Sequence, residues 1–84
     1  MSDKAVVRFI NKQNGMETEL EIPLFISAND LIVALNTAYS LGMDTENLFG
    51  CHLASENPIA LLHGNRALSE YGIRNGSRII FKGN

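Results

Sequence analysis

Apolar and polar residues alternate near the start of the chain in a way that predicts two paired strands. Ala5 to Asn11 is rich in β-branched and aromatic residues, which favour strands. Met16 to Ile22 alternates strictly, with apolar residues on one face and three glutamates on the other. Asn14-Gly15 between the two runs indicates a type I′ hairpin turn, because both central residues of that turn need positive φ.

This turn also predicts which residues of the two strands face each other. A two-residue loop at Asn14-Gly15 pairs apolar residues with apolar residues, and basic residues with acidic ones. A slip of one residue would break both sets at once. The predicted pairs are Val7 with Ile22, Phe9 with Leu20, Arg8 with Glu21, and Lys12 with Glu17.

One segment, Ser27 to Gly42, has the periodicity of an amphipathic helix. Ser27 can cap it, with Asp30 as the reciprocal partner of a capping box. Gly42 is placed to be the C-terminal glycine. The residues predicted to face a sheet are Leu31, Ile32, Leu35, Ala38 and Tyr39.

The second half of the chain predicts three more strands and a helical turn. In the third strand, Phe49, Cys51 and Leu53 share one face and His52 lies on the other. Residues 55–58 are predicted to form a turn. The predicted elements are a strand from Phe49 to Ala54, a strand from Ile59 to Leu62, a helical turn from Ala67 to Tyr71, and a last strand from Ser77 to Lys82.

Composition restricts the classes of protein that this chain can belong to. The 84 residues predict a single domain spanning 1–84, and 45% hydrophobic with 19% charged residues is ordinary for a globular fold. A net charge of −2 argues against a nucleic-acid partner. No apolar run approaches the ~20 residues that span a bilayer, so no direct membrane insertion is expected. The start Met1-Ser2-Asp3-Lys4 lacks the features of a signal peptide, which together with a single cysteine predicts a cytoplasmic protein.

No group of residues predicts catalysis, a metal or a cofactor. Cys51 and His52 are neighbours on a predicted strand, so their side chains point to opposite faces and do not form a nucleophile–base pair. Cys51 is instead expected in the core, with Phe49 and Leu53. His52 and His63 lack carboxylates or thiolates at ligand spacing. The expected protein is therefore not an enzyme, and its function is expected to lie in a binding surface.

Two segments near the end of the chain resemble known proteins. The run 68–73, Leu-Ser-Glu-Tyr-Gly-Ile, resembles the Leu-Ser-Asp-Tyr-x-Ile segment before the last strand of ubiquitin. The run 75–80, Asn-Gly-Ser-Arg-Ile-Ile, resembles the Gly-Asp-x-Leu/Ile ending of the ubiquitin-like YukD/EsaB family, which is associated with type VII secretion in Gram-positive bacteria. The resemblance covers about residues 5–82.

The resemblance implies an α+β fold of the ubiquitin-like β-grasp type. Its mixed five-stranded sheet has the order 2-1-5-3-4, with strands 1 and 5 parallel and one main helix on one face. It also implies a cytoplasmic accessory protein of the secretion machinery that needs no cofactor. Its expected partner is another protein, with a membrane-embedded subunit of the machinery as one candidate.

Two other functions stay open at this point. One is a protein modifier or sulfur carrier, which needs a free Gly-Gly tail. The sequence Lys82-Gly83-Asn84 supplies a single glycine, so we expect no conjugation to substrates. The other is a ubiquitin-like adaptor in an unrelated cytoplasmic complex.

The sheet face opposite the helix is the predicted docking surface. It is expected to have an apolar centre and a charged rim, a composition that suits protein docking. The corresponding face of ubiquitin is its main recognition surface. The candidate partner-binding residues are Arg8, Ile10, His52, Arg78, Ile80 and Lys82.

Overall fold

A computed structural model describes residues 3–83, in which five strands form one sheet and one helix of three turns lies across it. The expectations for Met1-Ser2 and for Asn84 lie outside the described residues. The strands are β1 (Lys4–Asn11), β2 (Met16–Pro23), β3 (Leu53–Glu56), β4 (Ala60–Leu62) and β5 (Arg78–Phe81); the helix is α1 (Ala28–Tyr39), and two 3-10 helices span Thr45–Gly50 and Leu68–Tyr71.

The strand order β2-β1-β5-β3-β4 confirms the predicted topology. β1 and β5 are parallel at the centre of the sheet, and the remaining neighbours are antiparallel. The ubiquitin-like β-grasp architecture expected from the resemblance is therefore present.

The predicted register of the first hairpin is wrong by two residues. Asn11, not Gln13, faces Met16, and Val7 faces Leu20 instead of Ile22. The loop has four residues, because the side chain of Asn11 accepts a hydrogen bond from the backbone N of Gln13 (2.9 Å) and its carbonyl accepts one from Gly15 N (2.9 Å). An even shift leaves every side chain on its predicted face.

Helix α1 begins as predicted and ends earlier. The Ser27 hydroxyl accepts a hydrogen bond from Asp30 N at 3.0 Å, and the Asp30 carboxylate accepts one from Ser27 N at 3.2 Å, which confirms the capping box. At the other end Ser40, with φ +53°, is the C-cap instead of Gly42. Ala38, a predicted core position, is exposed, because in the last turn of the helix it is Tyr39 that packs against the core.

The third strand starts four residues later than predicted. Asp44 caps the 3-10 helix Thr45–Gly50 by accepting a hydrogen bond from Glu46 N at 3.2 Å. Phe49 belongs to this helix and not to the strand. Phe49 is fully exposed instead of sharing a face with Cys51 and Leu53, both of which are buried. The predicted turn at 55–58 also moves, since Ser55 and Glu56 belong to β3.

The core lies between α1 and the inner face of the sheet. Leu31, Ile32 and Leu35 pack against the buried residues of β1, β3 and β5, as predicted. Tyr39 extends this contact, with its ring 5.2 Å from that of Phe9. The helix covers one face only, so the other face of the sheet is left open.

Candidate docking surface

The open face of the sheet is built from side chains of all five strands that alternate with the core residues. Ile80 of the central strand β5 pairs with Ile10 of β1 on one side and with Ala54 of β3 on the other. Arg78, two residues earlier, pairs with Arg8 and with Glu56. The topology therefore brings together five of the six candidate residues, and His52 adjoins them just before β3.

The two arginines on this face are neutralised by glutamates. Arg8 and Arg78 are neighbours on parallel strands, where like charges repel. Arg8 contacts Glu17 at 3.6 Å and Glu19 at 3.9 Å, and Arg78 contacts Glu56 at 3.7 Å. All of these side chains are substantially exposed, so each ion pair contributes at most about 1 kcal/mol. The outer part of the face is thus charged but balanced.

Ile80 is not the exposed anchor that the alternation predicted. It is only 4% exposed, and Ile10 is half-buried. A residue in a central strand is covered by its cross-strand neighbours even when it points away from the helix, since opposite side chains are close together. The aliphatic residues that reach solvent here are Val6 (44% exposed), Leu61 (53%) and Ile59 (90%).

A shallow groove of about 500 Å³ crosses the face above Ile80. Its floor is Ile80 and Ala54, its outer wall is the turn and strand around β4, and two lysines stand on the β1 and β5 side. A smaller depression of about 70 Å³ continues it towards His52 and Gly83. The side chains lining the groove belong to Lys12, Ala54, Ser55, Glu56, Ile59, Ala60, Leu61, Ile80 and Lys82.

Of the nine residues that line this groove, only Ile80 and Lys82 were among the sequence candidates. The missed residues include Lys12, Ile59 and Leu61. The burial of Leu62 in the core requires Leu61 to point outward, so the alternation of β4 could have identified it. Ile59 lies in the turn before β4, where alternation does not apply. Lys12 was missed because the predicted hairpin register, which was wrong, paired it with Glu17.

Cys51 and the two histidines lie in different environments. Cys51 is buried, and its thiol donates to the backbone oxygen of Asp44 at 3.3 Å. His52 is exposed, and the backbone oxygen of His63 accepts a hydrogen bond from the hydroxyl of Tyr71 at 2.6 Å. Within residues 3–83, no three side chains of His, Cys, Asp or Glu are grouped to hold a metal ion. Over the same span, no helix combines the length and the apolar character needed to cross a membrane.

Solved structures similar to this chain are ubiquitin-like domains. The ubiquitin-like domain of tubulin-binding cofactor B has a TM-score of 0.73 at 19% identity, covering 95% of this chain and 89% of that one. The C-terminal ubiquitin-like domain of mouse tubulin-specific chaperone e has a TM-score of 0.71 at 13% identity, with coverage of 98% and 90%. The ubiquitin-like domain of yeast Ddi1 has a TM-score of 0.69 at 20% identity, covering 100% of this chain and 93% of that one. The chain therefore has a ubiquitin-like fold.

The sequence narrows this class to one family. The model of the family described as "WXG100 protein secretion system (Wss), protein YukD" matches residues 6–81. The chain belongs to the YukD family, and its ubiquitin-like module is thereby associated with WXG100 protein secretion, as the resemblance implied. Comparison with curated proteins finds no significant match.

Proposed function

We propose that this chain is a non-catalytic, cytoplasmic adaptor of the WXG100 secretion machinery of a Gram-positive bacterium, and that it acts as one ubiquitin-like domain. Its membership of the YukD family is the single observation that carries this proposal. The expected partner is a protein, and a membrane-embedded subunit of the machinery is the class that we favour. Neither a cofactor nor nucleic acid has a part in this function.

The open face is the working surface in this proposal. It combines exposed aliphatic side chains, balanced arginine–glutamate pairs and a groove, and the helix leaves it uncovered. An apolar centre within a polar rim is how protein interfaces are commonly built. The six residues predicted from the sequence remain part of the proposal, with Arg8, Arg78 and Lys82 at the rim, Ile10 and Ile80 beneath, and His52 at one end.

Secretion in the native host tests the proposal. Deleting the gene is expected to reduce export of WXG100 proteins into the medium, and the wild-type gene is expected to restore it. Leu61→Asp alters the open face, and Val33→Asp is the matched control because Val33 is similarly exposed on α1 (39% against 53%). We expect Val33→Asp to restore export and Leu61→Asp to fail. Unchanged export in the deletion strain would refute the role in secretion.

The proposal also includes the absence of conjugation to other proteins. Phe81 O accepts a hydrogen bond from Lys12 N at 2.9 Å, and Gly83 lies against the side chain of Gln13, so the chain after β5 stays beside the hairpin as far as Gly83. A modifier instead needs a flexible glycine tail that reaches an activating enzyme. An immunoblot of the native host should show one band at the monomer mass. A ladder of heavier adducts that disappears when Gly83 and Asn84 are deleted would overturn this part.

A further inference from the structure

The basic side chains of this protein divide into two groups. The chain has seven lysines and arginines, all within the described residues. Three of them each contact a glutamate: Lys4, Arg8 and Arg78. The guanidinium carbon of Arg66 lies 5.3 Å from the centroid of the Tyr71 ring, and the guanidinium of Arg74 donates a hydrogen bond of 3.0 Å to the side chain of Asn57. Within residues 3–83, Lys12 and Lys82 have no such partner.

Both of these lysines line the same groove. Lys12 follows β1 and Lys82 follows β5, and the parallel pairing of the two strands places their ends side by side. Among the described residues, the only carboxylate lining the groove is Glu56, which Arg78 contacts at 3.7 Å. One end of the groove therefore carries two positive charges that the described part of the protein leaves without a counter-charge.

The opposite wall of the groove is aliphatic and exposed. Ile59 is 90% exposed and Leu61 is 53% exposed, beside a floor of Ile80 and Ala54. Burying large aliphatic side chains against a partner is favourable, in proportion to the apolar area removed from water. A complementary ligand has carboxylates at the lysine end and aliphatic or aromatic side chains over Ile59 and Leu61.

From this juxtaposition we propose that the groove binds a short segment of a partner protein in which acidic residues stand next to large apolar ones. This rests on the proposed docking function and specifies the chemistry of the partner. A peptide is favoured over nucleic acid because two lysines on a protein of net charge −2 do not provide a basic track for a phosphate backbone. The lysines supply orientation and selectivity, and the aliphatic wall supplies most of the affinity.

A library of random 12-residue peptides displayed on phage tests this chemistry directly, because it offers the groove acidic, basic and apolar side chains in many combinations. Peptides are selected on wild-type protein after depletion on Lys12→Glu/Lys82→Glu. We expect selected sequences to be enriched in Asp or Glu adjacent to Leu, Ile or Phe. Recovery of no binders, of basic sequences, or of sequences without acidic enrichment would overturn the proposal.

Two matched variants test the place of binding for one selected peptide. Lys12→Glu/Lys82→Glu is expected to weaken binding at least about tenfold, because charge reversal replaces attraction by repulsion. Lys4→Glu/Arg66→Glu makes the same change in net charge away from the groove and is expected to weaken binding less than about threefold. Backbone amide spectra verify that each variant is folded and should show peptide-induced shifts centred on residues 54–62 and 80–82. Equal weakening by both variants, or shifts centred elsewhere, would contradict the assignment.

A second copy of this chain is the alternative occupant of the groove, because the exposed glutamates of its β2 strand would supply carboxylates to the two lysines. Sedimentation of the wild-type protein over a hundredfold range of concentration is expected to show a monomer throughout. A dimer that Lys12→Glu/Lys82→Glu abolishes would assign the groove to a second copy of this chain and overturn the proposal. The export assay and the peptide selection are separate experiments. If export depends on the gene but the selection yields no acidic peptides, only the proposed chemistry of the groove is rejected, and the role in secretion stands.

Discussion

Ser27 and Asp30 form two reciprocal hydrogen bonds at the start of α1: the backbone N–H of Asp30 donates to the Ser27 hydroxyl, and the backbone N–H of Ser27 donates to the Asp30 carboxylate. Two backbone N–H groups that the helix itself leaves unsatisfied are thereby paired. Ser27→Ala removes one of these bonds and is expected to lower the free energy of unfolding by about 0.5–2 kcal/mol. Urea denaturation measures this loss. Ser69→Ala is the control, since Ser69 is exposed and its change is expected to stay within about 0.5 kcal/mol.

Leu35 lies on the buried face of α1 and is 4% exposed. Leu35→Ala leaves a cavity between helix and sheet, so we expect a loss of about 2–5 kcal/mol in the free energy of unfolding. Val33 lies on the exposed side of the same helix turn, so Val33→Ala is expected to lower the free energy of unfolding by well under half of the loss for Leu35→Ala. A loss below about 0.5 kcal/mol for Leu35→Ala, which is the range of surface substitutions, would contradict the assigned helix face.

Phe49 and Phe9 have opposite environments, at 101% and 0% exposure. Phe49→Ala removes no packing, and the free energy of unfolding is expected to change by less than about 0.5 kcal/mol. Phe9→Ala is expected to cost about 3–5 kcal/mol, because it empties a fully buried site. Thermal denaturation of both variants checks the contrast. A large loss for Phe49→Ala would mean that the 3-10 helix at Thr45–Gly50 packs differently.

Ile80 and Leu61 lie on the same face but differ in burial, at 4% and 53% exposure. Ile80→Asp places a carboxylate where water is excluded, which costs several kcal/mol, and we expect this variant to be largely unfolded. Leu61→Asp is expected to remain folded, with dispersed amide resonances. Loss of binding by Ile80→Asp is therefore no evidence about docking, whereas loss by Leu61→Asp is. A folded, wild-type-like Ile80→Asp would show that the groove floor is more open than described.

Local sequence signals predicted which strands and helices are present better than they predicted the residues at which these elements begin and end. The Ser27–Asp30 cap and the alternation of β1 and β2 were recognisable because each depends on residues a few positions apart. The third strand was placed too early, because Asp44 starts a short helix and alternation cannot be extended through it. The order of the strands came from the resemblance to ubiquitin, since pairing between distant segments leaves no local signal.

The docking surface was harder to predict than the fold. Alternation correctly placed Ile10 and Ile80 on the open face, but it carries no information on how far cross-strand neighbours cover them. Exposure of Ile59 and Leu61 depends on the position of β4 at the edge of the sheet. Among residues 3–83 Lys12 has no ion pair, and this depends on the hairpin loop. Alternation within β4 indicates the outward direction of Leu61, but how far each of these side chains is exposed depends on the assembled sheet.

The four-residue hairpin loop has a consequence for the charge of the groove. With a two-residue loop, Lys12 would stand opposite Glu17 and be neutralised within the hairpin. In the actual register Glu17 stands opposite Ile10 and contacts Arg8, and Lys12 is left to face the groove. Because a shift of two keeps every side chain on the same face of the sheet, the length of this loop decides whether Lys12 stands opposite Glu17 or faces the groove. Loop length therefore sets the charge of the groove while the interior stays the same.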